Sequence, residues 1–246
     1  MNELNEAVRG RYAGIALQML ESQEGSCCAS GDCCGGGYDA QELAELGVTE
    51  GASLGCGNPL LLADLKPGET VLDLGSGAGL DVLLSARRVG PDGRAFGVDM
   101  TDEMLALAER NRARAGVANA TFLNGSIEAL PLEAASVDVV ISNCVINFAE
   151  DKAAVLGEAF RVLRPGGRFA VADMVEIEEL PPAVKSALDA WAGCIAGSIS
   201  MERYRALLLE VGFGEPEFEI HDIQEMPGDR GKIGSAYIRA RKPGAV

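Results

Sequence analysis

Between residues 70 and 173 short apolar runs alternate with amphipathic stretches, and no other feature restricts the fold of this chain as much. Thr70–Leu74, Arg94–Asp99, Thr121–Asn124, Val137–Ser142 and Arg168–Asp173 read as strands. Gly79–Val89, Thr101–Ala115 (capped by Thr101) and Asp151–Leu163 read as helices between them, the last closed by Pro165-Gly166-Gly167. Val137–Ser142 is an almost unbroken apolar run, as expected of a parallel strand covered on both faces. Such alternation builds an α/β fold, a parallel sheet with helices on both sides. After Asp173 the pattern changes. Pro181 to Ile195 and Met201 to Val211 read as helices, and Phe218–Glu225 and Ala236–Arg241 as closing strands, antiparallel at the sheet edge. Upstream, Leu4 to Leu20 has apolar positions at helical spacing. A cysteine-rich glycine loop (residues 25–37) follows, then a short helix between Asp39 and Gly47, then a second glycine loop over 51–58. Asn58 before Pro59 opens a further helix, since proline suits a first helical position. The boundaries expected are 1–66 for the N-terminal helices and loop, 67–175 for the core, and 176–246 for a region completing the sheet.

The chain has 246 residues and a net charge of −16. A chain of this size buries roughly 70–75% of its unfolded surface, so its core needs no disulfides. With no cluster of Lys or Arg, it lacks the basic surface that displaces counterions from a nucleic acid, and no nucleic-acid partner is expected. Met1-Asn2-Glu3-Leu4-Asn5-Glu6 lacks the basic-then-apolar pattern of a secretory leader. No apolar stretch approaches the ~20 residues of a membrane span. A cytoplasmic location without membrane association is therefore expected. The seven cysteines (Cys27, Cys28, Cys33, Cys34, Cys56, Cys144, Cys194) are odd in number. In a reducing compartment they point to metal binding, catalysis or burial rather than to structural bridges.

Val71-Leu72-Asp73-Leu74-Gly75-Ser76-Gly77-Ala78-Gly79 is a strand entering a glycine turn and then a helix, the context of a nucleoside cofactor site. A dinucleotide fingerprint would place its third glycine where Leu80 stands. Asp73 would repel a pyrophosphate and favour a cationic group. Asp99 ends the second strand, where a carboxylate can accept both hydroxyls of a ribose. This Asp-x-Gly-x-Gly-x-Gly motif with a strand-two acid resembles the class I methyltransferases over about residues 67–175. Arg161-Val162-Leu163-Arg164-Pro165-Gly166-Gly167 adds to the likeness. The resemblance implies a Rossmann-like, mostly parallel, doubly wound sheet with an antiparallel edge strand and small N- and C-terminal additions. It implies S-adenosylmethionine as cofactor, held by Asp73, Gly75, Ser76, Gly77, Gly79 and Asp99. Ile127 and Glu128 would lie along the adenine, Met100 would pack against it, and Asn143 would stand nearby.

Cys144 directly follows the fourth strand, and ligands of such sheets bind beyond the carboxyl ends of the strands. Cys56 lies between two glycines, which allow close approach to the backbone. Taken singly, Cys56, Cys144 and Cys194 each also suit an ordinary loop or core position, and spacing does not show that they converge. Leu54-Gly55-Cys56-Gly57-Asn58-Pro59, Ser142-Asn143-Cys144-Val145-Ile146-Asn147 and Gly193-Cys194-Ile195-Ala196-Gly197 resemble three signatures of the arsenite methyltransferases, in the same order. That resemblance covers nearly the whole chain. It implies that Cys56, Cys144 and Cys194 hold trivalent arsenic, and that region 176–246 contributes to the arsenic site. Many members carry a further C-terminal domain that this sequence does not include. Cys27, Cys28, Cys33 and Cys34 form an unusual double pair, compatible with exposed thiols of a tail, with arsenic delivery or redox, or with zinc.

The chemistry implied is self-consistent. Trivalent arsenic is soft and prefers thiolates. Held by three sulfurs it keeps a lone pair, which can attack a sulfonium methyl without a general base. The sole histidine, His221, falls on a late strand. Methylation formally oxidises the arsenic, so a thiol reductant of glutathione or thioredoxin type is expected as co-substrate, with a thiol reductase as a partner. The expected substrate is arsenite or methylarsenite, and the expected role is arsenic detoxification. Two other readings remain at this level. One is an O- or C-methyltransferase using Asp173 or Glu176 as base or acid. The other is a thiol-based metalloid or zinc sensor on the same fold.

Overall fold

The structure is a computed structural model and describes residues 3–21, 37–47, 55–185, 195, 197–226 and 231–244. Cys27, Cys28, Cys33, Cys34 and Cys194 lie outside the described residues. Two helices come first, α1 (Glu3–Glu21) and α2 (Ala40–Leu46), then a 3-10 turn at Pro59–Leu61, with another at Ile146–Phe148 after the fourth strand. The core runs β1 (Thr70–Leu74), α3 (Leu80–Val89), β2 (Arg94–Asp99), α4 (Asp102–Ala115), β3 (Ala120–Asn124), β4 (Val137–Asn143), α5 (Lys152–Val162) and β5 (Leu163–Glu176). It continues with α6 (Pro182–Lys185), β6 (Ile199–Ser200), α7 (Met201–Val211), β7 (Glu217–Glu225) and β8 (Lys232–Arg241).

Local chemistry sets several of these ends. Asp39 caps α2 by accepting from the Gln41 and Glu42 N–H groups, and Gly47 closes it in the left-handed conformation. Asn58 accepts from the Leu60 N–H ahead of the 3-10 turn, with Pro59 in its first position. Thr101 stands at the N-cap of α4, yet its side chain makes no capping bond. Its own N–H instead donates to Asp99 Oδ1 at 2.9 Å. β5 starts five residues earlier than the sequence pattern suggests. Val137 pairs with Leu163 and Val139 with Arg168, so Arg164-Pro165-Gly166-Gly167 is a bulge within the strand rather than a turn ahead of it. Of the helix expected over Pro181–Ile195, the described residues show Pro182–Lys185.

The sheet order is β3-β2-β1-β4-β5-β8-β7, with β6 pairing β5 off this path. β1 to β5 are mutually parallel. The antiparallel strand is β8, which lies one place in from the edge; β7 pairs antiparallel outside it. Strand alternation feeds two cores. β1, β4 and β5 send Leu72, Leu74, Val140, Phe169 and Val171 to the face covered by α5 and α7, where Tyr204, Leu208 and Phe213 pack. Val71, Val139, Ile141 and Ala170 go to the face covered by α2 and α3, against Leu83, Leu84 and Leu46. Each such buried aliphatic side chain contributes roughly 1.5–3 kcal/mol. The strand order reverses between β1 and β4, and a crevice opens there beyond their carboxyl ends.

Candidate active site

The turn after β1 shapes the crevice. Gly75 and Gly77 have φ of 67° and 48°, in the left-handed region. A Cβ on Gly75 would strike Val145, so glycine is required there on two counts. The pocket encloses about 1050 Å³, including its open mouth. Asp73, Gly75, Ser76, Gly77, Asp99, Met100, Ile127, Glu128, Asn143 and Cys144 all line it. Gly79 does not. It sits behind the pocket at the N-cap of α3, where a Cβ would meet the Phe122 ring at 2.6 Å, so its role is helix packing rather than ligand contact.

Three carboxyl groups line the pocket within reach of one another's charge. Burial, with Asp81 and Asp99 as like charges, pushes the Asp73 carboxyl well above the usual range. Burial raises Asp81 to about 6, against the pull of hydrogen bonds from Tyr38 and Asn143. Burial also raises Asp99, opposed by backbone donors at Thr101 and Gly77. A cationic guest relieves this repulsion. Asp99 Oδ2 accepts from the Gly77 N–H at 2.9 Å and Oδ1 from the Thr101 N–H at 2.9 Å, which fixes the carboxylate at the pocket wall. Ser76 Oγ is buried with no hydrogen-bond partner among the described residues, a further polar atom available to a ligand. An acidic end, a carboxylate at the end of β2 and a glycine cradle fit S-adenosylmethionine.

Cys144 forms part of the wall of this pocket. It is 4% exposed, has φ of 59°, and its N–H donates to Ala172 O at 2.8 Å. Its sulfur is bonded to that of Cys56, 88 residues away in sequence, with the Cα atoms 5.8 Å apart. Two of the three expected arsenic-binding thiols are therefore together, and in this state they are a disulfide rather than free thiolates. Met174, Phe148, Val8, Leu180 and Ile233 pack around them. Asp173 faces the other side of the sheet. Burial raises it to about 7 against the opposing charge of Lys152, and it neighbours Tyr204, so it cannot serve this pocket as a base. Glu176 lies 2.8 Å from Lys185 Nζ in a separate surface depression. His221 stacks on Tyr237 between β7 and β8.

A family model described as a methyltransferase domain matches residues 65–226. The arsenite methyltransferase of Halobacterium salinarum is 43% identical over 262 aligned positions, covering 98% of this chain and 67% of that protein. The chain belongs to the arsenite methyltransferase family. The arsenite methyltransferase of Aquipseudomonas alcaligenes is 39% identical over 66% of this chain and 48% of its own length. The chain thus spans about half of that relative, and 47% of the arsenite methyltransferase of Mus musculus. Among solved structures, the arsenic(III) S-adenosylmethionine methyltransferase of Chlamydomonas reinhardtii aligns with a TM-score of 0.73 and 36% identity, over 84% of this chain and 75% of that one.

For this member of the arsenite methyltransferase family, some pocket residues had no sequence signal. Val8 and Tyr12 reach it from α1, and Val145 and Phe148 from the loop after β4. Asp81 could have been found, because an acid in the first turn after the glycine loop points back at the cofactor end. Tyr38, which donates to Asp81 at 2.9 Å across 43 residues, could not.

Proposed function

We propose that this chain transfers the methyl group of S-adenosylmethionine to trivalent arsenic held by Cys56, Cys144 and Cys194. The observation that carries the reading is that Cys144 lines the donor pocket with Cys56 bonded to it. Asp99 takes the ribose hydroxyls, and Asp73 and Asp81 offset the positive charge at the other end. Ser76, Gly75, Gly77 and Asn143 line the cradle, and Met100, Ile127 and Glu128 border the base. S-adenosylmethionine, when bound, supplies a methyl group activated by its sulfonium. The arsenic lone pair takes that methyl in line, with no proton to remove, so the protein's work is positioning and exclusion of water. Val145, Phe148 and Tyr12 serve the second task. Residues 67–175 hold the donor on this reading, while 1–66 and 176–246 supply Cys56 and Cys194.

Methyl transfer leaves arsenic formally pentavalent. Cys56 and Cys144 thiolates can return two electrons to it by joining as the disulfide seen here, and the arsenic becomes trivalent again. A thiol reductant, two equivalents of a glutathione-type monothiol or one thioredoxin-type dithiol delivered by a thiol reductase, then reopens the bridge by exchange and is itself oxidised to a disulfide. The free thiolates this cycle needs fit a reducing, cytoplasmic setting. Among the described residues no helix is long and apolar enough to cross a membrane. The substrate is arsenite or methylarsenite, and the role is detoxification.

Cys144→Ser should abolish methylation of arsenite while calorimetry shows donor affinity nearly unchanged. The assay combines purified protein, arsenite, a dithiol and isotope-labelled S-adenosylmethionine, with products identified by mass. Wild-type turnover in Cys144→Ser would end the thiolate reading.

A further inference from the structure

The loop carrying Cys56 is Gly55-Cys56-Gly57, a sequence with little conformational preference of its own. Something outside the loop must bring it to Cys144. We propose that Asn143 is the positioning residue that gathers the two thiols, an inference that rests on the arsenic-site reading for its use but not for its geometry. The Asn143 side-chain amide pairs with a peptide group as another strand would. Its Oδ1 accepts from the Gly57 N–H at 3.2 Å, and its Nδ2 donates to the Gly57 carbonyl at 2.7 Å. The second Nδ2 hydrogen goes to Tyr38 Oη at 3.1 Å, and Tyr38 in turn donates to Asp81. The amide is thereby held in one orientation from behind.

Two further observations agree. Gly55 rests on the amide so closely that a Cβ there would fall inside the Asn143 side chain. A Cβ on Gly57 would meet Ala172 at 2.8 Å and the Tyr237 ring at 3.0 Å. Both glycines flanking Cys56 are thus required by the seat of the loop. Asn143 is also the last residue of β4, paired with Ala172 of β5, and Cys144 follows it. One side chain therefore references both sulfurs, Cys144 through the chain and Cys56 through Gly57. Asparagine suits the task because only a primary amide sets a donor and an acceptor side by side. Aspartate would deprive the Gly57 carbonyl of its 2.7 Å donor, leaving it the longer contact from Tyr38 Oη at 3.4 Å, and would add charge beside Asp81. Ser235 Oγ, which donates to the Cys56 carbonyl at 2.9 Å, supports the loop from β8 but touches neither Asn143 nor Gly57 in this bonding pattern.

The test uses the full chain with Cys27, Cys28, Cys33, Cys34 and Cys194 changed to Ser, which leaves a single pair of thiols. The protein is equilibrated in buffers of defined reduced-to-oxidised glutathione ratio, trapped, and its oxidised fraction read by mass. Asn143→Ala should move the midpoint by about tenfold or more toward oxidised glutathione, as two lost hydrogen bonds imply. Gly55→Ala should move it the same way, and the double variant should be no worse than Asn143→Ala alone, since the clash has lost its partner. A role in general stability would lower the melting temperature of the reduced protein and leave the midpoint in place. An unmoved midpoint in Asn143→Ala overturns the proposal. Should that variant fail to fold, an unmoved midpoint in Gly55→Ala does so. No arsenic is present, so the outcome is independent of whether arsenite is the substrate.

Discussion

The carboxyl groups at the end of the donor pocket give that site a pH dependence whose sign can be worked out. Asp81 stands at about 6 in the free protein, chiefly through burial, and burial likewise raises Asp73 well above the usual carboxylate range, with the like charges of Asp81 and Asp99 adding to it. A cationic ligand stabilises the ionised forms, so binding below pH 6 must expel a proton. Donor affinity should therefore rise as pH increases from 5 toward 7 and then level as Asp81 becomes ionised in the free site too. Calorimetry in two buffers of different ionisation heat reads the protons released. Asp81→Asn should flatten the Asp81 part of the rise. An affinity that falls with pH over this range would mean that no positive charge meets these acids. Asp99→Ala belongs to the other end of the ligand and should weaken donor binding while sparing arsenic binding, again read by calorimetry.

At the scale of elements, α1 is the piece that its own sequence did not place. It packs along α4 and sends Val8 and Tyr12 over the pocket, a contact decided by residues far away in the chain. Its last turn has no basic residue to satisfy its terminal carbonyls. Arg110 of α4 does so instead, donating to Met19 O at 2.9 Å and Leu20 O at 3.0 Å, and Arg9 pairs with Asp102 at the other end. Arg110→Ala should speed amide exchange across residues 3–21 and weaken donor affinity severalfold; unchanged exchange would deny Arg110 this role. The contrast shows what the sequence makes legible. β1 to β5, their helices and the caps at Asp39 and Asn58 follow from local spacing and side-chain chemistry, so they could be read. The bulge at Arg164–Gly167 depends on the register with Val137 and Val139, the failure of Thr101 to cap α4 depends on its bonds to Asp99, and Tyr38 meets Asp81 only once two helices are packed. The same division holds in the site. Asp73, Asp99 and the glycine turn announce themselves locally, whereas the meeting of Cys56 with Cys144 is tertiary and was legible only by resemblance.

Across the whole molecule that meeting has a consequence for stability. Cys56 precedes β1 and Cys144 follows β4, so their bond closes a span of 88 residues that contains four strands of the sheet. In the chain-entropy picture a closed loop of this length restricts the unfolded state by roughly 4–5 kcal/mol. For a chain this large, 1 kcal/mol moves the melting temperature by roughly 2–4 °C. Reduction should therefore lower the melting temperature by about 10 °C, and Cys56→Ser should reproduce the reduced value without reductant. On the proposed cycle the competent state is the reduced one, which is the looser of the two until substrate arrives. Arsenic bound to both sulfurs closes the same span through one additional atom. Arsenite added to the reduced protein should then recover much of the lost melting temperature, and do so with a dependence on arsenite concentration that reports its affinity. Cys144→Ser should show no recovery, because the span cannot be closed. If arsenite raised the melting temperature of Cys144→Ser as far as that of the parent, metalloid binding would lie elsewhere in the chain, and the pair on the pocket wall would be a structural bridge alone.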